Sequence, residues 1–151
     1  MPPTNMRMRA SGKVFAACGL WMVGLGVYFL FLRPALLPED PRFMGSSVEI
    51  LLGAAPGLLR WLDHVFNVMG GFMVATGALT LLVACRYLAS RAPGTFAAMT
   101  LAGGTSVMLM SATNFMLQSD FRWLLLVPAV LWVSGLICYL REAASGQVDH
   151  E

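Results

Sequence analysis

Four stretches of the chain, residues 14–32, 65–85, 95–117 and 124–140, contain no Asp, Glu, Lys or Arg. They run 19, 21, 23 and 17 residues, each close to the ~20 apolar residues that cross a ~30 Å hydrocarbon core at about 1.5 Å rise. The pattern predicts four membrane spans, hence an all-α four-transmembrane-helix bundle in which residues 1–151 form a single integral membrane domain. Arg7, Arg9 and Lys13 ahead of span one give it a signal-peptide look. Its apolar run is longer than the usual ~7–15 residues and no small-x-small cleavage site follows, so it reads as an uncleaved anchor.

The connection between spans one and two, residues 33–62, carries its own pattern. Pro34, Pro38 and Pro41 predict an extended, turn-rich start, because each lacks a backbone donor and disfavours helix before it. Ser46-Ser47-Val48-Glu49 then has capping-box spacing ahead of Ile50-Leu51-Leu52, and Gly53 and Pro56 close the run. This predicts a short interfacial helix on the outer membrane face. From Gly57 the chain is expected to run as helix straight into span two, with Pro56 in its first turn.

Composition agrees with the pattern: 58% of the 151 residues are hydrophobic and 12% charged, against about 25% charged in a soluble domain. A soluble enzyme, a coiled coil and a disordered tail are thereby excluded. The net charge of +2 is small and dispersed, which argues against nucleic acid as a partner. Arg7, Arg9, Lys13, Arg86, Arg91 and Arg141 fall on the side of the termini, and Arg33, Arg42, Arg60 and Arg122 on the other. Six against four predicts cytoplasmic termini in a bacterial cytoplasmic (inner) membrane. Trp61, Trp123 and Tyr28 then band the outer interface, and Tyr87 and Tyr139 the inner one. Cys18, Cys85 and Cys138 all lie toward the reducing side, which predicts free thiols in helix contacts.

Polar residues at membrane depth carry the candidate chemistry, because each must find a partner there. Arg60, Asp63, His64 and Asn67 share one face of the helix entering span two, and Ser111, Asn114 and Gln118 share one face of span three. If these spans form an antiparallel hairpin about residue 90, Asn67 meets Asn114 and Asp63 meets Gln118 near the outer surface. Asp120 and Arg122 add an acid and a base at the same rim. One reading makes this cluster helix glue; the other makes it a small-molecule, proton or lipid-headgroup site.

No cofactor is expected. A bis-His haem is opposed because only His64 lies near a span and His150 is in the tail. Met108 and Met110 stand two apart and point to different faces, so the 11 methionines read as gap-fillers rather than a Cu(I) site. Gly71 and Ala75, and Ala98, Ala102 and Ser106, recur every four residues and predict close helix approach, while Pro128 predicts a kink in span four.

The Gly-rich first span, Phe29-Leu30-Phe31-Leu32-Arg33-Pro34, Leu37-Pro38-Glu39-Asp40 and the pair Met44-Gly45 resemble small uncharacterised bacterial four-helix membrane proteins. The layout is similar to the DoxX-like group. That resemblance implies an accessory role or a link to membrane redox systems and carries over no functional residue. The leading expectation is a non-enzymatic multi-pass protein acting through helix contacts with itself or with a membrane-protein partner in the lipid bilayer. A membrane redox accessory that binds a quinone or lipid headgroup at the outer polar cluster is the second. A small-solute transporter working as an oligomer is the third.

Overall fold

The computed structural model describes residues 8–148, so Arg7 and His150 lie outside it. The described chain is all-helical. Helix α1 spans Ala10–Phe31, α2 Glu39–Met44, α3 Val48–Ala54, α4 Leu58–Ser90, α5 Thr95–Met116 and α6 Arg122–Val148. Four of them, α1, α4, α5 and α6, are long and apolar enough to cross a membrane. Connections at the "loop end" of the bundle are residues 32–57 and 117–121; the start of α1, the end of α6 and residues 91–94 lie at the "terminal end".

Local chemistry sets the helix limits. Pro34 disfavours helix at Arg33, and α1 stops with Leu32 and Arg33 both donating to Tyr28 O. Gly45, in the left-handed region at φ 64°, ends α2. The prolines of the first loop do not keep it wholly extended, contrary to the sequence expectation: Pro38 caps α2 and Pro41 lies inside it. First-turn N–H groups have no intrahelical acceptor, so a proline there costs no hydrogen bond. Ser47, rather than Ser46, caps α3 by accepting from Ile50 N at 3.4 Å. Gly57 is the cap of α4, which leaves Pro56 outside the helix rather than in its first turn.

Helix α1 is the centre of the packing, lying against both α4 and α6, while α5 packs on α6. The α1–α4 contact is an antiparallel glycine seam. Gly12, Gly19 and Gly26 recur every seven residues on α1, and Gly70, Gly77 and Ala84 do so on α4. A Cβ on Gly19 would lie 2.9 Å from Gly77 O, one on Gly26 2.7 Å from Gly70 O, and one on Gly12 3.2 Å from Ala84 O. Backbone is thus packed on backbone, the main source of contact energy where lipid is as apolar as the side chains.

The α1–α6 contact is built from large rings set over glycines. Phe15 meets Trp132 edge-on at 5.4 Å, Gly135 lies beneath the Phe15 ring, and Gly103 of α5 lies against the Trp132 indole. The buried indole Nε1 donates to Met99 O at 2.9 Å, tying α6 to α5. Helix α6 is helical through Pro128 without a break, and Cys18 Sγ donates to Pro128 O. The three cysteines are free thiols. At the terminal end Glu142 accepts from Ser11 N and Ser11 Oγ at 2.9 and 2.7 Å, and Arg91 donates to Tyr139 O at 3.0 Å.

The expected α4–α5 hairpin does not form. A groove of about 540 Å³ separates those helices, and Ala98, Ala102 and Ser106 line it. Gly71 and Ala75 are exposed, so the four-residue stripes are not the close seam. Unwinding occurs in α4 and α5 instead of at Pro128, as π-helical turns at Val83–Tyr87 and Gly104–Met108. In α5 the hydroxyls of Thr105 and Ser106 bond to the carbonyls of Leu101 and Ala102 directly after two glycines, a local setting that loosens the α-helical ladder.

Candidate functional site

The polar residues grouped by spacing are distributed over two places. On α4, Arg60, Asp63, His64 and Asn67 are all exposed, and none forms an ion pair among the described residues. At the α5–α6 turn, Gln118 and Asp120 are exposed and Asn114 and Arg122 half-buried. Asn114 Nδ2 donates to Met110 O of its own helix at 2.9 Å, not to Asn67. Arg122 Nη1 donates to Gln118 O and Ser119 O, both at 3.3 Å, closing the turn. Asp120 pairs with Arg42 at 3.1 Å in the open, an arrangement worth at most ~1 kcal/mol. The expected Asn67–Asn114 and Asp63–Gln118 pairings are absent because α1, not α5, takes the contact face of α4.

Behind this rim lies a partly open apolar space. A chamber of about 290 Å³ lies among α1, α4, α5, α6 and the first loop. Its apolar walls include Leu25, Met73, Met110, Leu124 and Leu125. Met69, Met73 and Met110 reach it from two helices, and flexible thioethers let such walls adapt to shape. The polar lining is Tyr28, Arg33, Glu39, Asp40, Asn114 and Ser119.

The loop folds back to supply that lining. Asp40 Oδ2 accepts from Leu37 N at 2.8 Å, a turn that brings the first residues of α2 against the bundle. Asp40 also lies 3.7 Å from Arg33 Nη2, and Arg33 Nη1 donates to Pro34 O at 2.8 Å. The Arg33 guanidinium lies 3.4 Å from the Phe66 ring centroid and 5.3 Å from that of Phe29, leaving its side chain 8% exposed. Burial holds its pKa below the ordinary arginine value, and the Asp40 carboxylate partly opposes that. Glu39, 4% exposed, accepts from Ser119 Oγ at 3.0 Å, which joins the loop to the α5–α6 turn. Ser119 Oγ accepts in turn from Phe121 N at 3.2 Å.

Glu39 and Asp40 also border a second apolar space of about 310 Å³, walled by Phe43, Met44, Trp61 and Phe66. The acids therefore stand between two apolar compartments. An apolar cavity with a few convergent polar groups is the arrangement expected of a small-molecule site, and 290 Å³ is at the small end of that range. Sequence reasoning missed Arg33, Glu39, Asp40 and Ser119. Their only signal is a pair of adjacent carboxylates flanked by Pro38 and Pro41, six and seven residues after the one arginine that ends span one. No group of three or more His, Cys, Asp or Glu among the described residues is placed to hold a metal ion. Comparison with protein-family models, with curated proteins and with solved structures finds no match.

Proposed function

We propose that this chain is a multi-pass, non-enzymatic accessory protein of a bacterial cytoplasmic membrane that holds an amphipathic molecule in the loop-end chamber. The observation that carries the reading is the chamber itself: an apolar space with a buried carboxylate and a buried guanidinium in its lining. A quinone or lipid headgroup fits this chemistry, with its polar oxygens toward the donors of Tyr28, Arg33 and Asn114 and its apolar body against Met73, Met110 and Leu125. The lysine and arginine distribution supports cytoplasmic termini, which puts the chamber near the outer face. Exposed Phe43, Met44, Val48 and Ile50 support an interfacial position for α2 and α3. The DoxX-like layout supports a role beside a membrane redox system.

Native mass spectrometry of gently solubilised full-length protein tests this. The parent should retain an amphiphile. Met110→Trp, which fills the chamber, should lose it with little change in melting temperature. Equal retention by both proteins, or none by the parent, overturns the reading.

A further inference from the structure

The chamber and the α4–α5 groove are lined by the same two helix faces. On α4, Met69 and Met73 of the chamber lead into Thr76, Thr80 and Val83 of the groove. On α5, Asn114 and Met110 lead into Ser106, Ala102 and Met99. Offsets of three and four keep each row on one side of its helix. From the last chamber position to the first groove position is three residues on α4 and four on α5, about one turn. The two spaces are successive parts of one cleft that runs from the loop end toward the terminal end.

The groove suits hydrocarbon. Among the described residues no charged side chain lines it. The hydroxyls of Thr80, Thr105 and Ser106 each donate to a carbonyl of their own helix, which leaves carbon surface for the interior. Both π-helical turns contribute lining, Val83 and Tyr87 from one and Thr105 and Ser106 from the other, and such turns are frequent at functional sites. Fourteen residues of α4 separate Met73 from Tyr87, a path of about 21 Å. That exceeds half of the ~30 Å hydrocarbon core. Space between helices at this depth is filled by some chain, because bare walls forfeit their dispersion contacts.

From this we infer that the α4–α5 groove holds the tail of the molecule whose head the chamber holds, so the ligand is an amphiphile with one tail long enough to pass the bilayer midplane. The inference rests on the chamber being the head site. Surrounding lipid is as apolar as the groove, so burial alone does not place a particular chain there. Attachment to a head fixed one turn away does, because it raises the local concentration of that tail over free lipid. The second apolar space beside the chamber is the poorer exit, since Glu39 and Asp40 border both and carboxylates offer hydrocarbon nothing. A long-tailed quinone and a single-chain lipid share this chemistry.

Photolabelling of the detergent-solubilised full chain tests this. The probes are hexadecylbenzoquinone and palmitoyl lysophosphatidylethanolamine, each made with a diazirine beside the head, at mid-tail or at the tail end, and labelled residues are mapped by mass spectrometry. The head diazirine should label the chamber, the mid-tail one the level of Ser106, and the tail-end one the level of Met99 and Val83. The probe that gives this ordered series identifies the source. Ala102→Trp plugs the groove, and since close-packed space admits no second chain, it should cut tail-end labelling of Met99 and Val83 about tenfold while head labelling persists. Ala98→Trp, at an exposed groove position one turn further on, serves if that variant does not fold. Head labelling in the chamber with tail labels scattered over exposed Phe72, Val130 and Leu140, or gathered on Phe43 and Trp61, overturns the inference and leaves the chamber reading standing. Groove labelling that survives Met110→Trp comes from free chains and overturns the inference as well. If neither probe labels the chamber through its head, the reading and the inference fall together.

Discussion

Replacing Gly77 by Ala tests the α1–α4 seam with one methyl group. A Cβ there would lie 2.6 Å from Gly19 O, 2.7 Å from Val23 N and 2.8 Å from Val23 Cγ2. Two of these three obstacles are backbone atoms of α1, so no side-chain rotation relieves them. Ordinary contact begins near 3.4 Å, so the two helices must part by about 0.8 Å at this level. Both helices are rigid, and the displacement is shared with the Gly26–Gly70 contact one heptad away. Overpacking of this kind costs roughly 1–3 kcal/mol, against a gain of up to ~1 kcal/mol because Ala is the better helix former. Gly71, six residues away on the same helix, is the control. A Cβ there meets nothing within 4 Å, so Gly71→Ala keeps only the propensity gain. The expected order is Gly71→Ala at or above the parent and Gly77→Ala below it by about 1–2 kcal/mol. Titration of detergent-solubilised protein with SDS, followed by tryptophan fluorescence, measures both. Equal stabilities, or the reverse order, would refute a backbone-on-backbone seam in this register.

Trp132→Phe removes the bond to Met99 O, and a thermal melt should record a loss of about 0.5–1.5 kcal/mol plus a contribution from the space left beside Gly103. His64→Gln and Asn67→Leu change exposed side chains, so chemical unfolding should move by no more than ~0.5 kcal/mol; a loss above ~1 kcal/mol would mean the α4 polar face has a structural partner. Glu142→Gln weakens the acceptor that holds Ser11 at the terminal end, and hydrogen exchange at the start of α1 should rise in the variant while the core stays protected. For topology, a cysteine at Ser46 in a background lacking the native thiols should react with an impermeant reagent in intact cells, and one at Ser90 should not. The opposite pattern would place the chamber on the cytoplasmic side.

Absence of charge over about twenty residues is a one-dimensional property, and it located all four long helices. Which helix faces which is a property of helix faces, and hydropathy does not encode it when every face is apolar. That information lay in Gly12, Gly19 and Gly26 against Gly70, Gly77 and Ala84, a seven-residue repeat readable in both spans. Counting in fours instead selected Gly71 and Ala75, one residue around the helix from the seam and exposed. The Asn67–Asn114 and Asp63–Gln118 pairings are absent for a related reason. Arg60, Asp63 and His64 sit at a helix end where water or headgroups are within reach, so they need no protein partner. The polar groups that do have buried partners, Arg33, Glu39 and Ser119, come from loop and turn, and they meet only once the proline-rich segment folds back across the bundle. No spacing rule connects positions 80 residues apart.

The seam also orders assembly. Helices α1 and α4 are successive spans, and their contact needs nothing that comes later in the chain, so the first hairpin can close before residues 95–148 have been inserted. The second hairpin, α5–α6, carries its own lock in the Trp132 indole bonded to Met99 O. Folding then reduces to docking two preassembled halves across the α1–α6 face, where Phe15 and Gly135 await one another. Only residues 91–94 join the halves covalently, between helices that do not pack together. A chain cut there and expressed as two fragments should recombine in the membrane, because the peptide bond between the halves supplies proximity and the α1–α6 surface supplies the fit.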